Sequence, residues 1–250
     1  MTAQVSTLEI TTMAQCSVRC TICPQNALAA AYKGRHRLTI DGFHQALLNT
    51  PKHVRIHFSG FVEPWLNSEC TTMLSLALEK GFRVGVWTTC VGMKDWARVA
   101  NLLLCFKAHV ETVCVHLADG VYMATSQAAS DTRGSFIHAL QAGGITPELY
   151  SMRDTSTHVD RAGLVQIGKA PVRHTGPIKC SYSDDYSHNV ILPNGDVHLC
   201  CMDYGLKHKL GNLFEQTWPE LRTHVIDDIA IRNHTQTDTI CRKCHGAVPA

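Results

Sequence analysis

Cys16-Ser17-Val18-Arg19-Cys20-Thr21-Ile22-Cys23-Pro24 places three thiols within eight residues, directly after the strand-like segment Ser6–Thr12. Soft thiolates at this spacing suit an iron–sulfur cluster or zinc. Three ligands rather than four is the informative number: a four-iron cubane held this way keeps one iron free for a substrate or cofactor. The position is informative too, because parallel α/β folds bind ligands at the carboxyl ends of their strands.

Outward from this loop, strand-like and helix-like segments alternate. Asp41–Asn49 reads as a short helix with Asp41 as its cap, and Val54–Phe58 as a strand ending in Ser59-Gly60. Ser68–Lys80 is an amphipathic helix closed by Gly81, Phe82–Thr88 a third strand, and Lys94–Phe106 a helix behind it. Thr112–Leu117, Phe136–Ala142 and Thr146–Met152 continue as strand, helix and strand. Repeated β-then-α units imply parallel strands wrapped by helices, as an open sheet or a barrel. Thr155–Cys180 loses periodicity, which puts a domain boundary there and divides the chain into 1–160 and 161–250. Beyond it, Val190–Leu192 and Val197–Cys200 flank Pro193-Asn194-Gly195-Asp196, a hairpin signal, and a helix is predicted near Thr217–Ile231.

The chain has 250 residues, 45% of them hydrophobic, enough for a sizeable core. A formal charge of +2 without like-charge blocks argues against nucleic acid or an anionic membrane as partner. No apolar run approaches the ~20 residues a membrane span needs. The opening MTAQVSTLEI lacks the features of a signal peptide, so the reading is cytoplasmic. Twelve cysteines in a reducing compartment point to metal or redox chemistry rather than disulfides. Seven fall into groups with ligand-like spacing; Cys70, Cys90, Cys105, Cys114 and Cys201 are read by default as buried, inert thiols.

The second set is Cys180, Cys200 and Cys241-Arg242-Lys243-Cys244. A hairpin turning at Asn194-Gly195 is expected to deliver Cys200 opposite Cys180, with the terminal Cys-x2-Cys closing the cage. The Gly195-x4-Cys200 spacing favours Cys200 over its neighbour Cys201 as ligand. Four thiolates fit a closed zinc site as well as a cluster.

The Cys-x3-Cys-x2-Cys loop after a first strand resembles that of the radical S-adenosylmethionine superfamily. The resemblance implies a partial (β/α)6 barrel. It also implies S-adenosylmethionine on the open iron of a [4Fe–4S] cluster held by Cys16, Cys20 and Cys23, cleaved by one electron to a 5′-deoxyadenosyl radical. Ile22 stands where the family commonly has an aromatic residue near the adenine. Ser59-Gly60-Phe61-Val62-Glu63-Pro64 resembles the family's Gly-Gly-Glu segment, which assigns Gly60 and Glu63 to the methionine ammonium. The end of the third strand places the Thr88 and Thr89 hydroxyls to meet the ribose of that cofactor, and the end of the fourth carries His116, taken as a further cofactor contact, with Asp119 beyond it. Arg161-Ala162-Gly163 is similar to a stretch that brings a guanidinium into the active site, where its fork suits a carboxylate or hydroxyl. Cys180, Cys200, Cys241 and Cys244 resemble the ligands of SPASM/twitch domains. They imply one auxiliary [4Fe–4S] cluster in a small hairpin-plus-helix domain.

In length and in both cysteine sets the chain resembles the twitch-type dehydrogenases that oxidise aminocyclitol alcohols. That implies a sugar- or aminocyclitol-like substrate, an auxiliary cluster that accepts an electron, and a flavodoxin- or ferredoxin-type reductant. Epimerisation and peptide modification are the alternatives, followed by a non-catalytic iron–sulfur carrier and a zinc-stabilised binding module. An epimerase needs a thiol hydrogen donor at the barrel top. Cys90, ending the third strand, is the first candidate and Cys201 the second, while Cys114 lies too early in its strand.

Overall fold

The computed structural model describes residues 6–151, 153–154, 158–166, 172–222, 225–235 and 238–250. Strand β1 (Thr7–Ile10) leads into the cysteine loop, followed by α1 (Gln25–Ala31), α2 (Ile40–Leu48), β2 (Arg55–Phe58), α3 (Cys70–Glu79) and β3 (Val84–Thr88). Then come α4 (Trp96–Cys105), β4 (Val110–Leu117), α5 (Gln127–Ala142) and β5 (Glu148–Ser151). The C-terminal part has β6 (Ile178–Cys180), β7 (His188–Ile191), β8 (Asp196–His198), β9 (Lys209–Asn212), α6 (Trp218–Arg222), α7 (Val225–His234) and β10 (Ala247–Pro249).

One sheet runs β5-β4-β3-β2-β1-β7-β8-β9. Every pairing from β5 to β7 is parallel, giving six parallel strands. The sixth is β7, from the C-terminal part, which pairs with β1 in the register Leu8↔Asn189 and Ile10↔Ile191. The expected hairpin is β7–β8 and continues the parallel sheet on its β1 side. Its turn needs Gly195, whose φ is 87° and where a Cβ would stand 2.5 Å from Asn212 Oδ1. A separate ribbon pairs β6 with β10.

The sheet has two unlike faces, because successive strand residues point to opposite sides. Leu8, Ile10, Ile56, Phe58, Val84, Val86, Val113 and Val115 are buried in the main core with Phe43, Leu74, Val99 and Phe136 from the covering helices. Burying each such side chain stabilises the fold by roughly 1.5–3 kcal/mol, and Phe58→Ala would cost about 3–5 kcal/mol. The other face carries Glu9, His57, Trp87, His116, Tyr150 and His188 into an open interior.

Several boundaries differ from the sequence-based expectation. Thr39, not Asp41, caps α2: its hydroxyl accepts the Gly42 amide at 3.1 Å. Helix α5 starts at Gln127 rather than Phe136, because Ser126 caps it and its first turns are too polar to show apolar periodicity. The helix expected over 217–231 is described as α6 and α7, with residues 223 and 224 outside the described residues. Met152, Thr155 and Pro171 of the expected fifth strand and irregular segment also lie outside them. Among the described residues, no helix is long and apolar enough to cross a membrane.

Candidate active site

A cavity of about 520 Å³ opens where the strands end. The loop thiols Cys16, Cys20 and Cys23 line it, with Ile22, Gly60, Glu63, Thr88, Thr89, His116 and Arg161. The strand ends therefore bring nearly every residue singled out in the first 161 positions to one cleft.

The cysteine loop is fixed by its own backbone. The Cys23 amide donates to Cys20 O at 3.1 Å, Thr21 N to Tyr122 O at 2.9 Å, and Cys20 pairs with Met123. Burial pushes the Cys20 thiol up to about 12, and the neighbouring Cys23 and Cys16 push the same way. Cys16 is raised by burial, while the Glu63 and Val18 amides donate to its sulfur and favour the thiolate. Three half-buried thiols on one loop, with amide donors aimed at the Cys16 sulfur, fit a positively charged iron centre. A tetrahedral zinc draws thiolates to about 3.8 Å of each other. Among the described residues, no group of three or more Cys, His, Asp or Glu side chains is assembled for a single metal ion.

Glu63 is buried, and four donors meet its carboxylate. Thr88 Oγ1 and Trp65 N donate to Oε1 at 2.7 and 3.2 Å; Thr89 N and Oγ1 donate to Oε2 at 2.6 and 2.7 Å. Thr88 and Thr89, expected at a ribose, thus serve here to hold Glu63. Gly60, with φ 69°, crosses β1 so closely that a Cβ would lie 2.5 Å from Thr11 Oγ1. Its amide donates to Glu9 Oε2 at 3.0 Å.

Below the loop, the floor is polar. Glu9 Oε1 lies 2.6 Å from His188 Nε2. Burial opposes ionisation of Glu9, but His188 and then His57 outweigh it and bring its pKa down to about 2. Burial pushes His57 and His116 down to about 4, so both imidazoles are neutral at pH 7; Arg161 adds to the effect on His116. His57 stacks against Trp87 with centroids 4.6 Å apart, and His116 against Tyr150 at 5.1 Å. Asp119 lies outside the cleft lining, its carboxylate accepting the amides of Val121, Tyr122 and Met123 in a tight turn.

Arg161, at φ 51°, reaches the cleft from the C-terminal side and lies over the Tyr204 ring at 5.8 Å. Burial works against its charge, but Tyr204, Cys201, Cys23 and Glu9 hold it protonated. Among the described residues, no carboxylate forms an ion pair with it. Tyr204 is buried, stacks on Phe61 at 4.6 Å, and places its hydroxyl 3.6 Å from Cys23 Sγ.

The five spare thiols divide. Cys90 is 1% exposed, packed in the main core outside the cleft lining, so its geometry does not suit a hydrogen donor. Its left-handed φ of 61° turns the chain away at the strand end. Cys201 lines the cleft and faces Glu9. So does Cys114 line it, against the expectation from its early place in β4. Cys70 is buried, whereas Cys105 is exposed rather than buried.

The second set converges by a different route from the one expected. Cys180 lies on the β6–β10 ribbon, paired with Ala247, and not across the hairpin from Cys200. That ribbon draws the terminal Cys-x2-Cys beside Cys180; Cys244 N donates to Cys241 O at 3.1 Å. Burial raises Cys241, and Cys180 adds to it; burial pushes Cys244 up to about 11, with Cys241 and Cys180 contributing. Cys200, following β8, is raised by burial and by Cys201 and Cys241 beside it. Electrostatic interactions thus link Cys180 with Cys241 and Cys244, and Cys200 with Cys241.

Sequence reasoning missed Glu9, His57, His188, Trp87 and Tyr204. The available signal was polar residues alternating with apolar ones in short strands, as in Thr7-Leu8-Glu9-Ile10.

Residues 180–245 match the family model of SPASM, an iron–sulfur cluster-binding domain. No curated protein matches the chain in sequence. Solved structures do share its architecture. BtrN in complex with AdoMet and 2-DOIA has a TM-score of 0.66 at 16% identity, over 98% of this chain and 94% of that one. Histidine-tagged anSMEcpe with bound AdoMet has 0.60 at 13%, over 96% and 83%. SuiB of Streptococcus suis bound to precursor peptide SuiA has 0.64 at 14%, over 97% and 70%. Residues 180–245 thus match a SPASM iron–sulfur cluster-binding domain, in a chain that shares its α/β fold with these AdoMet-bound proteins.

Proposed function

We propose that the chain is a radical S-adenosylmethionine enzyme that oxidises an alcohol carbon of a sugar- or aminocyclitol-like substrate. One observation carries the reading. Cys16, Cys20 and Cys23 share a single cleft with Arg161, Cys201 and Tyr204 of the C-terminal part, over a floor of carboxylate and imidazole groups. Cys16, Cys20 and Cys23 would hold a cluster that binds S-adenosylmethionine and would supply hydrogen-abstracting radical chemistry, and Cys180, Cys200, Cys241 and Cys244 would hold a second cluster able to accept an electron. The chain's own residues do the rest. Ile22 offers the adenine an apolar contact, and Gly60 and Glu63, which also line the cleft, receive the methionine end. Neutral His57 accepts the proton that an alcohol loses on becoming a ketone, with Glu111 Oε2 3.5 Å behind it. Arg161 stays charged and orients a hydroxyl or carboxylate. The planes of Trp87 and Tyr150 suit the C–H faces of a hydroxylated ring. BtrN, bound to AdoMet and 2-DOIA, is a relevant comparison for a small substrate.

The test is anaerobic reconstitution, iron and sulfide analysis, and incubation with S-adenosylmethionine and dithionite, assaying 5′-deoxyadenosine. A panel of sugars and aminocyclitols then competes against peptides for turnover. Absence of 5′-deoxyadenosine from iron-loaded protein sinks the reading, and turnover of peptides alone moves the substrate class. A second reading, epimerisation, is favoured by one observation: the Cys201 thiol faces the cleft, where it can return a hydrogen atom to a carbon radical.

A further inference from the structure

Cys23 is a loop thiolate of the N-terminal set, yet one of its hydrogen-bond partners comes from the far end of the chain. Tyr204 Oη lies 3.6 Å from Cys23 Sγ, and Gln25 Nε2 lies 3.4 Å from the same sulfur. The tyrosine ring is 3% exposed and fixed against Phe61, within an apolar cluster of Leu28, Val62, Val190 and Leu192. It stands four residues after Cys200, in a turn closed by the Asp203 amide donating to Cys200 O at 3.0 Å. A cysteine that ligates iron has no proton, so in that state the phenol O–H must be the donor.

We infer that Tyr204 is a positioning and tuning residue that couples the two cluster sites: its hydroxyl donates to the Cys23 thiolate and raises the reduction potential of the N-terminal cluster. Hydrogen bonds to cluster sulfurs stabilise the more negative, reduced state. The donor is carried by the turn that also carries Cys200. Seating of the auxiliary site therefore bears on how readily the first cluster accepts its electron. The inference rests on the cluster assignment proposed above.

The test uses the full chain loaded with iron and sulfide, followed by electron paramagnetic resonance during a potentiometric titration. The N-terminal signal is recognised as the one that changes on adding S-adenosylmethionine. Tyr204→Phe should move the midpoint potential of that signal to a more negative value and leave the other signal in place. 3-Fluorotyrosine incorporated at position 204 keeps the ring and strengthens the donor, so it should move the midpoint the opposite way. This variant also decides the matter if Tyr204→Phe fails to take up iron. An unchanged midpoint in the fluorotyrosine protein overturns the coupling while the radical reading stands. A wild-type protein with no signal sensitive to S-adenosylmethionine overturns both.

Discussion

Glu9 projects from β1 into the cleft, with Oε1 2.6 Å from His188 Nε2 and Oε2 3.0 Å from the Gly60 amide. Moving its carboxyl from 4.5 to about 2 corresponds to roughly 3 kcal/mol in favour of the anion. That stability is present above pH 4.5 and is lost as the pH falls toward about 2. His188 titrates the other way. Burial lowers its pKa, but Glu9 more than offsets this and holds it above 6.5, so its share is full below about pH 6.5 and is lost as the pH rises through the raised value. The pair is therefore at its strongest between about pH 4.5 and 6.5. Because the His188 side chain is 35% exposed, solvent screening trims the expected coupling to about 2 kcal/mol. A double-mutant cycle of Glu9→Gln and His188→Gln, read by urea denaturation, should give that coupling at about pH 6.5 and much less at about pH 9. A coupling below about 0.5 kcal/mol at the lower pH, or one unchanged at the higher, would refute the reasoning.

Replacing Cys16, Cys20 and Cys23 together with alanine should abolish 5′-deoxyadenosine formation and leave roughly half the iron, since one of two cluster sites remains. Unchanged cofactor cleavage would remove the central claim. Cys180→Ala with Cys244→Ala should empty the auxiliary site and stop turnover of the true substrate while abortive cofactor cleavage survives; full product formation would leave that site a structural role alone. Cys90→Ala should leave cofactor cleavage and oxidation intact, because the thiol is packed in the core. Cys201→Ala, which alters the cleft wall, should also preserve oxidation. If it consumes substrate but loses product, or if solvent deuterium enters a product carbon of the wild type, epimerisation replaces dehydrogenation.

Local features were readable from the chain and pairings across it were not. The cysteine loop and the terminal Cys-x2-Cys are fixed by spacing over a few residues, and strands β2, β3 and β4 by apolar runs. The floor depends on register: β1 sets Glu9 opposite His57 on one side and Val190 on the other, which brings His188 within reach. Nothing near residue 9 announces that partner. The hairpin was legible through Asn194-Gly195, but its docking onto β1 was not, because a strand's neighbour is chosen by edge geometry rather than by its own residues. Cys180 shows the same limit, since the ribbon that places it pairs distant segments, with Ala247 opposite it.

The two faces of the sheet bring fold and chemistry together. A parallel sheet covered on both sides would be most stable with apolar residues on both. Here the helix side follows that rule, whereas the inner side carries Glu9, His57, His116 and His188. Burial makes charging His57 and His116 costly, which is no burden at pH 7 but destabilises the fold progressively as the pH falls from 6.5 toward about 4. His57 feels Glu9, His188 and Arg55, and reaches Glu111, which is itself paired with Arg55. The cleft thus holds one histidine whose protonated form a carboxylate favours and two kept neutral by burial. Environments that push like groups in opposite directions separate proton donor from proton acceptor within one site. On the proposed reading, that separation leaves neutral His57 free to take the alcohol proton while Glu9 favours the proton on His188.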